Sequence, residues 1–395
     1  MPLGYPLRSR VKRSPFGTRR SCRTGRTGGP RASFRVSGAG YRPITCSRRR
    51  SSPRPPALPR LRRADCSEPG LARRRRGRGF EYLDQAGNRV RDGEVLARIR
   101  DLGIPPAWKD VWICPDPLGH LQATGIDAAG RKQYLYHPTW RLRRDRAKFD
   151  AMLEFGAALP QLRRRARRDL RGDELTHDRV LACALVLLDL GFFRIGSESY
   201  AEQNGSFGLV TMLKRHVRVE DDDLVFDYQA KGGRKRVQAI ADPYVRDVVA
   251  ELKGRRGGGG RLLVYRGEGG WVELRSEDLN ARIKALTGED FSAKDFRTWN
   301  ATVLAAVAVA GLAADAGSKR ARTQTINAAV KAVAAYLGNT PAVCRASYID
   351  PRVFDRFRGG HTIAETLDRP LASVDLAKRS AREEVEAAVL DLIGS

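Results

Sequence analysis

Four short segments in the second half of the chain each set a cation or a hydrogen-bond donor beside a structural break. FFRIGSESY places Arg194 directly after an apolar run. QAKGGRKR places Lys231 beside two glycines, which let backbone approach a ligand closely. SAKDFRTWN places Lys294 and Arg297 three residues apart at the start of a helix, and so on one face. LGNTPAVCRASYIDP supplies the Asn339 amide and, nine residues further on, the Tyr348 phenol. Singly, each segment reads as surface decoration or packing. Together, two arginines, a lysine, an amide donor and a phenol in this order fit phosphoryl transfer performed by side chains alone.

Other routes to phosphate chemistry are missing from the sequence. It contains no GxxxxGK[ST] loop, no GxGxxG after a strand and no HExxH. The histidines at 120, 137, 177, 216 and 361 are scattered, and none pairs with another at metal-ligand spacing. The cysteines at 22, 46, 66, 114, 183 and 344 include no CxxC pair, which argues against a zinc ribbon or a disulfide framework. We therefore expect no metal, no cofactor and no nucleotide. The start, MPLGYPLRSRVKRS, lacks the apolar stretch of a secretory signal. The longest apolar run, Val303 to Ala314, is well short of the ~20 residues that span a bilayer. The expectation is a protein of a reducing compartment, cytoplasmic and nucleoid-associated, without a membrane partner.

The formal charge is +28, unevenly spread. Residues 1–78 hold 23 Lys and Arg against two acids, Asp65 and Glu68. Such an Arg/Pro/Ser/Gly segment is too polar to form a core, so residues 1–60 are expected to be a disordered tail that binds nucleic acid non-specifically or that results from an upstream mis-called start. From about Phe80 the pattern changes. EYLDQAGNRV and KDVWICPDPLGHLQATGIDAAGRKQYLYHP alternate apolar and polar residues around turn signals, with the helical spacing of DGEVLARIRDLG between them. This predicts a β-rich domain over 61–141. The remainder, 142–395, reads as mainly helical with one strand-rich insert. There Phe226 and Tyr228 alternate with Val225, Asp227 and Gln229 before a Gly232–Gly233 turn and a return strand. GRRGGGG looks like a linker loop, and SEDLNARIKALTG a helix capped by Ser276. The expected class is α+β: a small β-rich domain, then a mainly α-helical catalytic domain with a β-hairpin insert.

The ordered set RIGSE…Y, hairpin Lys-Gly, KDFRTW and LGNTP…SYIDP resembles type IB DNA topoisomerases, in the compact form shared by poxviruses and bacteria. The resemblance runs from roughly residue 61 to 360 and includes GRKQYLYHPTW. It implies that Tyr348 attacks a DNA phosphodiester to form a 3′-phosphotyrosine and free a 5′-hydroxyl strand. Arg194, Arg297 and Asn339 would donate to the non-bridging oxygens. Lys231 would protonate the departing 5′-oxygen, and Lys294 would assist that relay or bind phosphate. Gln133, Tyr134 and Tyr136 match the family's groove-contacting segment, and Tyr200 a phosphate-contacting position. The implied partner is duplex DNA, clamped by a monomer. Two departures stand out. Poxviral members carry His where this chain has Asn339, a change that keeps a donor and removes a group titrating near neutrality. KGG replaces a more usual KSG. Two other readings remain: a tyrosine recombinase, which would place HxxR at Lys294–Arg297, and a non-catalytic basic DNA-binding protein relying on its tail.

Overall fold

The structure, a computed structural model, describes residues 59–288, 291–313, 316–368, 370–374 and 378–395, without the side chains of Ser199, Tyr200 and Gln203. Of the expected basic tail, residues 1–58 lie outside the described residues. The described chain forms two compact units that divide between Leu142 and Arg143.

The first unit is built on one antiparallel sheet. Its strands are β1 (Leu71–Arg76), β2 (Gly79–Leu83), β3 (Lys109–Ile113), β4 (Leu121–Ile126) and β5 (Lys132–Tyr136), in the order β2-β1-β3-β4-β5. Helix α1 (Gly93–Asp101) starts at Asp92, whose carboxylate accepts the Glu94 and Val95 N–H groups at 2.8 and 3.2 Å. Leu71, Ile99, Val111, Ile113 and Ala123 form the core between helix and sheet. On β5 the two-residue period sends Leu135 toward that core and Tyr134 and Tyr136 to the opposite, exposed face.

The second unit is mainly helical. The sequence HDRVLACALVLLDLG is apolar around nearly its whole circumference and forms the buried helix α3 (His177–Gly191). Around it lie α2 (Pro138–Asp169), whose first turns hold the boundary between the units, α4 (Glu198–Asn204), α5 (Pro243–Gly254), α6 (Ser276–Thr287), α7 (Ala293–Gly311), α8 (Lys319–Leu337), α9 (Pro341–Ser347), α10 (Pro351–Gly359) and α11 (Arg379–Gly394). The insert is a three-stranded sheet of β6 (Val217–Glu220), β7 (Asp223–Ala230) and β8 (Arg234–Ile240). Leu224, Phe226 and Tyr228 turn inward from β7, as their alternation predicts. The fold is α+β.

Two details differ from the sequence reading. A second hairpin, β9 (Val264–Gly267) and β10 (Gly270–Glu273), comes after the GRRGGGG stretch, so the insert is not the second unit's only sheet. Ser276 is the first helical residue of α6, not its cap. The cap position is Arg275, whose N–H is accepted by the Asp278 carboxylate at 2.9 Å.

A buried ionic cluster holds the helices together. Arg163 on α2 contacts Asp189 on α3 at 2.9 Å and Glu386 on α11 at 2.6 Å. Arg382 contacts Asp189 at 2.8 Å and Glu386 at 3.2 Å. Asn300 on α7 joins by donating to the Asp189 carbonyl and accepting from Arg382. Burial alone would raise the Asp189 carboxyl, but Arg163 and Arg382 overcome it and hold it at about 2. That contribution is present above the ordinary carboxylate range and is lost as pH falls toward 2. Glu386→Ala leaves two buried guanidinium groups facing one acid, and is expected to lower stability by about 3–5 kcal/mol in urea unfolding. A loss under ~1 kcal/mol would instead place the cluster in the range of solvent-screened pairs. No helix among the described residues is long and apolar enough to cross a membrane.

Candidate active site

The site begins at the end of α3. Phe192 there adopts left-handed backbone (φ 53), uncommon for a bulky residue, and both Phe192 and Phe193 are buried. This sharp exit turns the chain and delivers Arg194. The segment is then clamped: Leu209 N–H donates to the Arg194 carbonyl at 2.8 Å and Val210 N–H to that of Ile195 at 2.9 Å. Gly196 and Gly208 make the clamp possible, since a Cβ on Gly208 would sit 2.4 Å from the Gly196 Cα.

Arg297 lies in the second turn of α7, 3% exposed. It donates to the Phe192 carbonyl and, at 2.9 Å, to the Leu337 carbonyl. It therefore ties the exit of α3 to the end of α8. Burial, with the Arg194 charge acting in the same sense, pulls its guanidinium down to about 10. It remains a cation at neutral pH.

Helix α8 ends at Gly338 (φ 64), the left-handed stop that glycine favours. The last four carbonyls of a helix have no partner within it. Here all four are satisfied. Asn339 N–H takes Ala334 and Gly338 N–H takes Ala335. Arg236 takes Tyr336 at 2.7 Å, and Arg297 takes Leu337. The turn so fixed presents the Asn339 side chain, whose Oδ1 accepts from Arg194 Nη2 at 2.5 Å. A guanidinium can only donate, so this bond fixes the amide's orientation and leaves Nδ2 as the remaining donor.

Thr340 then caps α9, with its hydroxyl accepting the Val343 N–H at 3.3 Å. Tyr348 stands at the C-terminal end of that helix, its N–H bonded to the Cys344 carbonyl at 3.0 Å. The Thr302 hydroxyl accepts the Asp350 N–H at 3.1 Å and lies 3.4 Å from the Tyr348 carbonyl. Asp350 is fully buried and is held by Arg352. The Tyr348 backbone is thus pinned on both sides independently of its phenol. The ring is half-buried, with Arg297 Cζ 5.3 Å from its centroid.

The structure brings together four of the five predicted groups: Arg194, Arg297, Asn339 and Tyr348. Arg236 and the buried Tyr228 phenol belong to the same cluster, with Arg194 and Arg297 close enough to Tyr228 to favour its ionised form against burial, which pushes it up. Among the described residues, none of Arg194, Arg236 and Arg297 pairs with a carboxylate; their bonds go to carbonyl and amide oxygens and, for Arg236 and Arg297, to the Tyr228 and Tyr348 phenols. Two buried nitrogens here, Arg297 Nε and Asn339 Nδ2, have no acceptor among the described residues. Clustered cations and orphaned donors carry a desolvation cost that an anion relieves.

Comparison with known proteins agrees with this arrangement. Residues 137–359, more than half of the chain, match the model described as eukaryotic DNA topoisomerase I, catalytic core. Residues 79–127 match that of the bacterial DNA topoisomerase IB N-terminal domain. DNA topoisomerase 1B of Acanthamoeba polyphaga mimivirus is 30% identical over 287 residues, covering 71% of this chain and 85% of the viral protein. The chain belongs to the type IB DNA topoisomerases. It is an enzyme that relaxes DNA by transient strand cleavage.

The remaining predicted residues of this topoisomerase occupy separate places. Lys231 is exposed at the tip of the β7–β8 hairpin, in a turn made by Gly232 (φ 79) and Gly233 (φ 70). Lys294 shares a face of α7 with Arg297 but not its environment, since it is exposed. In the first unit, Tyr134 and Tyr136 stack with centroids 6.2 Å apart and planes 14° from parallel. Both are well exposed, at 45% and 37%, which excludes a core role. Gln133 is bound to the Asp127 carboxylate at 2.9 Å. Tyr200 lies in α4, and its side chain is outside those described. Sequence reasoning missed Arg236 and Tyr228. The signal that could have found them was an inverted strand: on β8, Arg236 and Gln238 turn inward while Val237 between them is 60% exposed.

Proposed function

We propose that Tyr348 is the nucleophile of this topoisomerase and that Arg194, Arg297 and Asn339 beside it neutralise the phosphoryl transition state. The Tyr348 oxygen forms a bond to a backbone phosphorus of duplex DNA, and the bond from phosphorus to the 5′-oxygen breaks. The phenol gives up one proton and the departing 5′-oxygen takes one from Lys231, leaving a 3′-phosphotyrosine and a 5′-hydroxyl. Reversal reseals the strand without an external energy source, because the phosphotyrosine retains the energy of the phosphodiester. Between the two steps the free end swivels about the intact strand.

The observation that supports this reading most directly is the arrangement of donors beside the phenol. Arg297, over the Tyr348 ring, keeps a buried Nε without an acceptor among the described residues, and Arg194 holds the amide so that Asn339 Nδ2 is left in the same state. A pentavalent phosphorane carries extra charge on its non-bridging oxygens, and pre-placed donors of this kind are typically worth ~10²–10³ in rate each. The stacked Tyr134–Tyr136 face and Gln133 are read as DNA contacts of a clamping domain over residues 61–141, with residues 142–395 catalytic. Lys294 and Tyr200 are read as phosphate contacts. One chain carries every group the reaction needs, so the working form is a monomer, acting on the nucleoid.

Supercoiled plasmid tests the whole proposal. Both positive and negative supercoils are expected to relax in EDTA without ATP, since the guanidinium groups already supply the charge that a metal ion would otherwise provide. An absolute requirement for a divalent ion or for ATP would overturn it.

A further inference from the structure

Arg236 is not among the groups that the proposed chemistry uses, yet it joins two of them. It lies on β8, five residues after Lys231, on the strand that returns from the hairpin tip. Its Nη2 donates to the Tyr336 carbonyl at 2.7 Å and to Gln238 Oε1 at 2.8 Å. Its guanidinium also faces the buried Tyr228 phenol on β7. The guanidinium lies close against the end of α8, where a Cβ on Gly338 would stand 2.6 Å from Arg236 Nη1. The next residue is Asn339.

The physical question is why a half-buried cation should stand there. Arg236 adds positive charge to a pocket that already holds Arg194 and Arg297, and burial lowers its own tendency to be charged. It has no carboxylate partner among the described residues. An arginine in that position is costly unless its planar fork does something a neutral side chain cannot. What it does is bridge. Three of its contacts lie on different segments: β8 through Gln238, β7 through Tyr228, and the end of α8 through Tyr336. The Gln238 amide passes the connection on, donating to the Gly191 carbonyl at the end of α3 at 2.8 Å.

We infer that Arg236 is a positioning residue that fixes the hairpin bearing Lys231 to the α8 turn bearing Asn339, so that the proton donor and the phosphate-binding donors keep one register. This rests on the assignment of Lys231 as the acid. Strand pairing and the buried side chains of β7 hold the hairpin to the core, and Arg236 adds a tie from it to the α8 turn. An ångström of drift at the leaving oxygen is enough to lose roughly 10²-fold in rate.

The test is single-turnover cleavage by the full chain, comparing an ordinary duplex substrate with one carrying a bridging 5′-phosphorothiolate at the scissile position. The departing sulfur needs no proton, so a defect in proton delivery disappears on that substrate. Arg236→Gln is expected to cleave the ordinary substrate roughly 10²-fold more slowly, to recover most of that loss on the thiolate, and to bind duplex within a few-fold of the parent. Arg236→Lys keeps the charge but has no fork with which to bridge, and is expected to show a smaller loss, likewise recovered. The double variant Arg236→Gln/Lys231→Ala should be no slower than Lys231→Ala alone. Arg236→Lys slowed equally on both substrates, or either variant at full speed on the ordinary one, would overturn the inference. Lys231→Ala measured in parallel separates the two levels: if it too is equally slow on both substrates, the acid assignment fails and takes this inference with it.

Discussion

Tyr348→Phe is expected to give a folded protein that binds duplex DNA within a few-fold of the parent, leaves supercoiled plasmid unrelaxed and forms no covalent complex trapped by detergent. The substitution removes one oxygen from a half-buried ring. The oxygen is in contact with Arg297, but the backbone that carries the ring is held without it. The backbone is fixed by Cys344, Thr302 and the buried Asp350, and Arg297 loses its contact with the phenol oxygen but keeps its place over the ring face, which a phenylalanine retains. Arg194 keeps its bond to Asn339, and Arg297 keeps its bonds to the Phe192 and Leu337 carbonyls, so the proposed phosphate-binding groups stay in place. The rate should fall by on the order of 10⁶, the scale seen when a nucleophile is removed from an otherwise intact site. An adduct that survived in this variant would move the nucleophile elsewhere. Tyr336 would be next to test, although burial raises its phenol and its carbonyl is already held by Arg236. Loss of folding would make Tyr348 a packing residue.

The sequence exposed the proposed nucleophile and its closest partners because each sits at a break that local chemistry marks. Gly338 after an apolar-periodic helix announces a stop, and the residues just past a helix stop are presented rather than packed. The same holds for Arg194 after the apolar run of α3, and for Lys231 beside two glycines. Period-two alternation placed Tyr134 and Tyr136 on one face of β5, where they stack. Other features depended on contacts far along the chain. The four-residue strands β9 and β10 are too short to show a period, and the glycines before them looked like a linker. In the fold that stretch packs onto Trp271: a Cβ on Gly258 would stand 2.8 Å from its ring. Three-residue spacing put Lys294 and Arg297 on one face, but three residues subtend about 300°, leaving the pair about 60° apart. That is enough to bury one and expose the other at the edge of a packed stripe. Arg236 was illegible for a different reason. Its partners are the carbonyl of Tyr336, one hundred residues away, and a phenol on the neighbouring strand. No spacing rule reports on such bonds.

Lys231→Ala should slow strand cleavage by roughly 10²–10⁴-fold, the usual range for a positioned general acid, while leaving affinity for duplex nearly unchanged. Bond breaking to the 5′-oxygen puts negative charge on an alkoxide, a poor leaving group unless a proton arrives as the bond stretches. The guanidinium groups of Arg194 and Arg297 are poor sources of that proton. Arg297 is committed to the Phe192 and Leu337 carbonyls, which keep it in a fixed place. An ammonium on a hairpin tip is better suited, because Gly232 and Gly233 give it a turn that side chains do not crowd. The discriminating substrate is again the bridging 5′-phosphorothiolate, since a thiolate departs unaided. On it, Lys231→Ala is expected to approach the rate of the parent enzyme, whereas Arg297→Ala should remain slow because the charge on the non-bridging oxygens is the same for either leaving group. Equal recovery in both variants would show that the thiolate merely relieves the chemical step as a whole, and would remove the case for Lys231 as the acid. Recovery confined to Lys231→Ala, with Arg297→Ala still slow, separates proton delivery from charge neutralisation and assigns one to the hairpin and the other to the buried cluster.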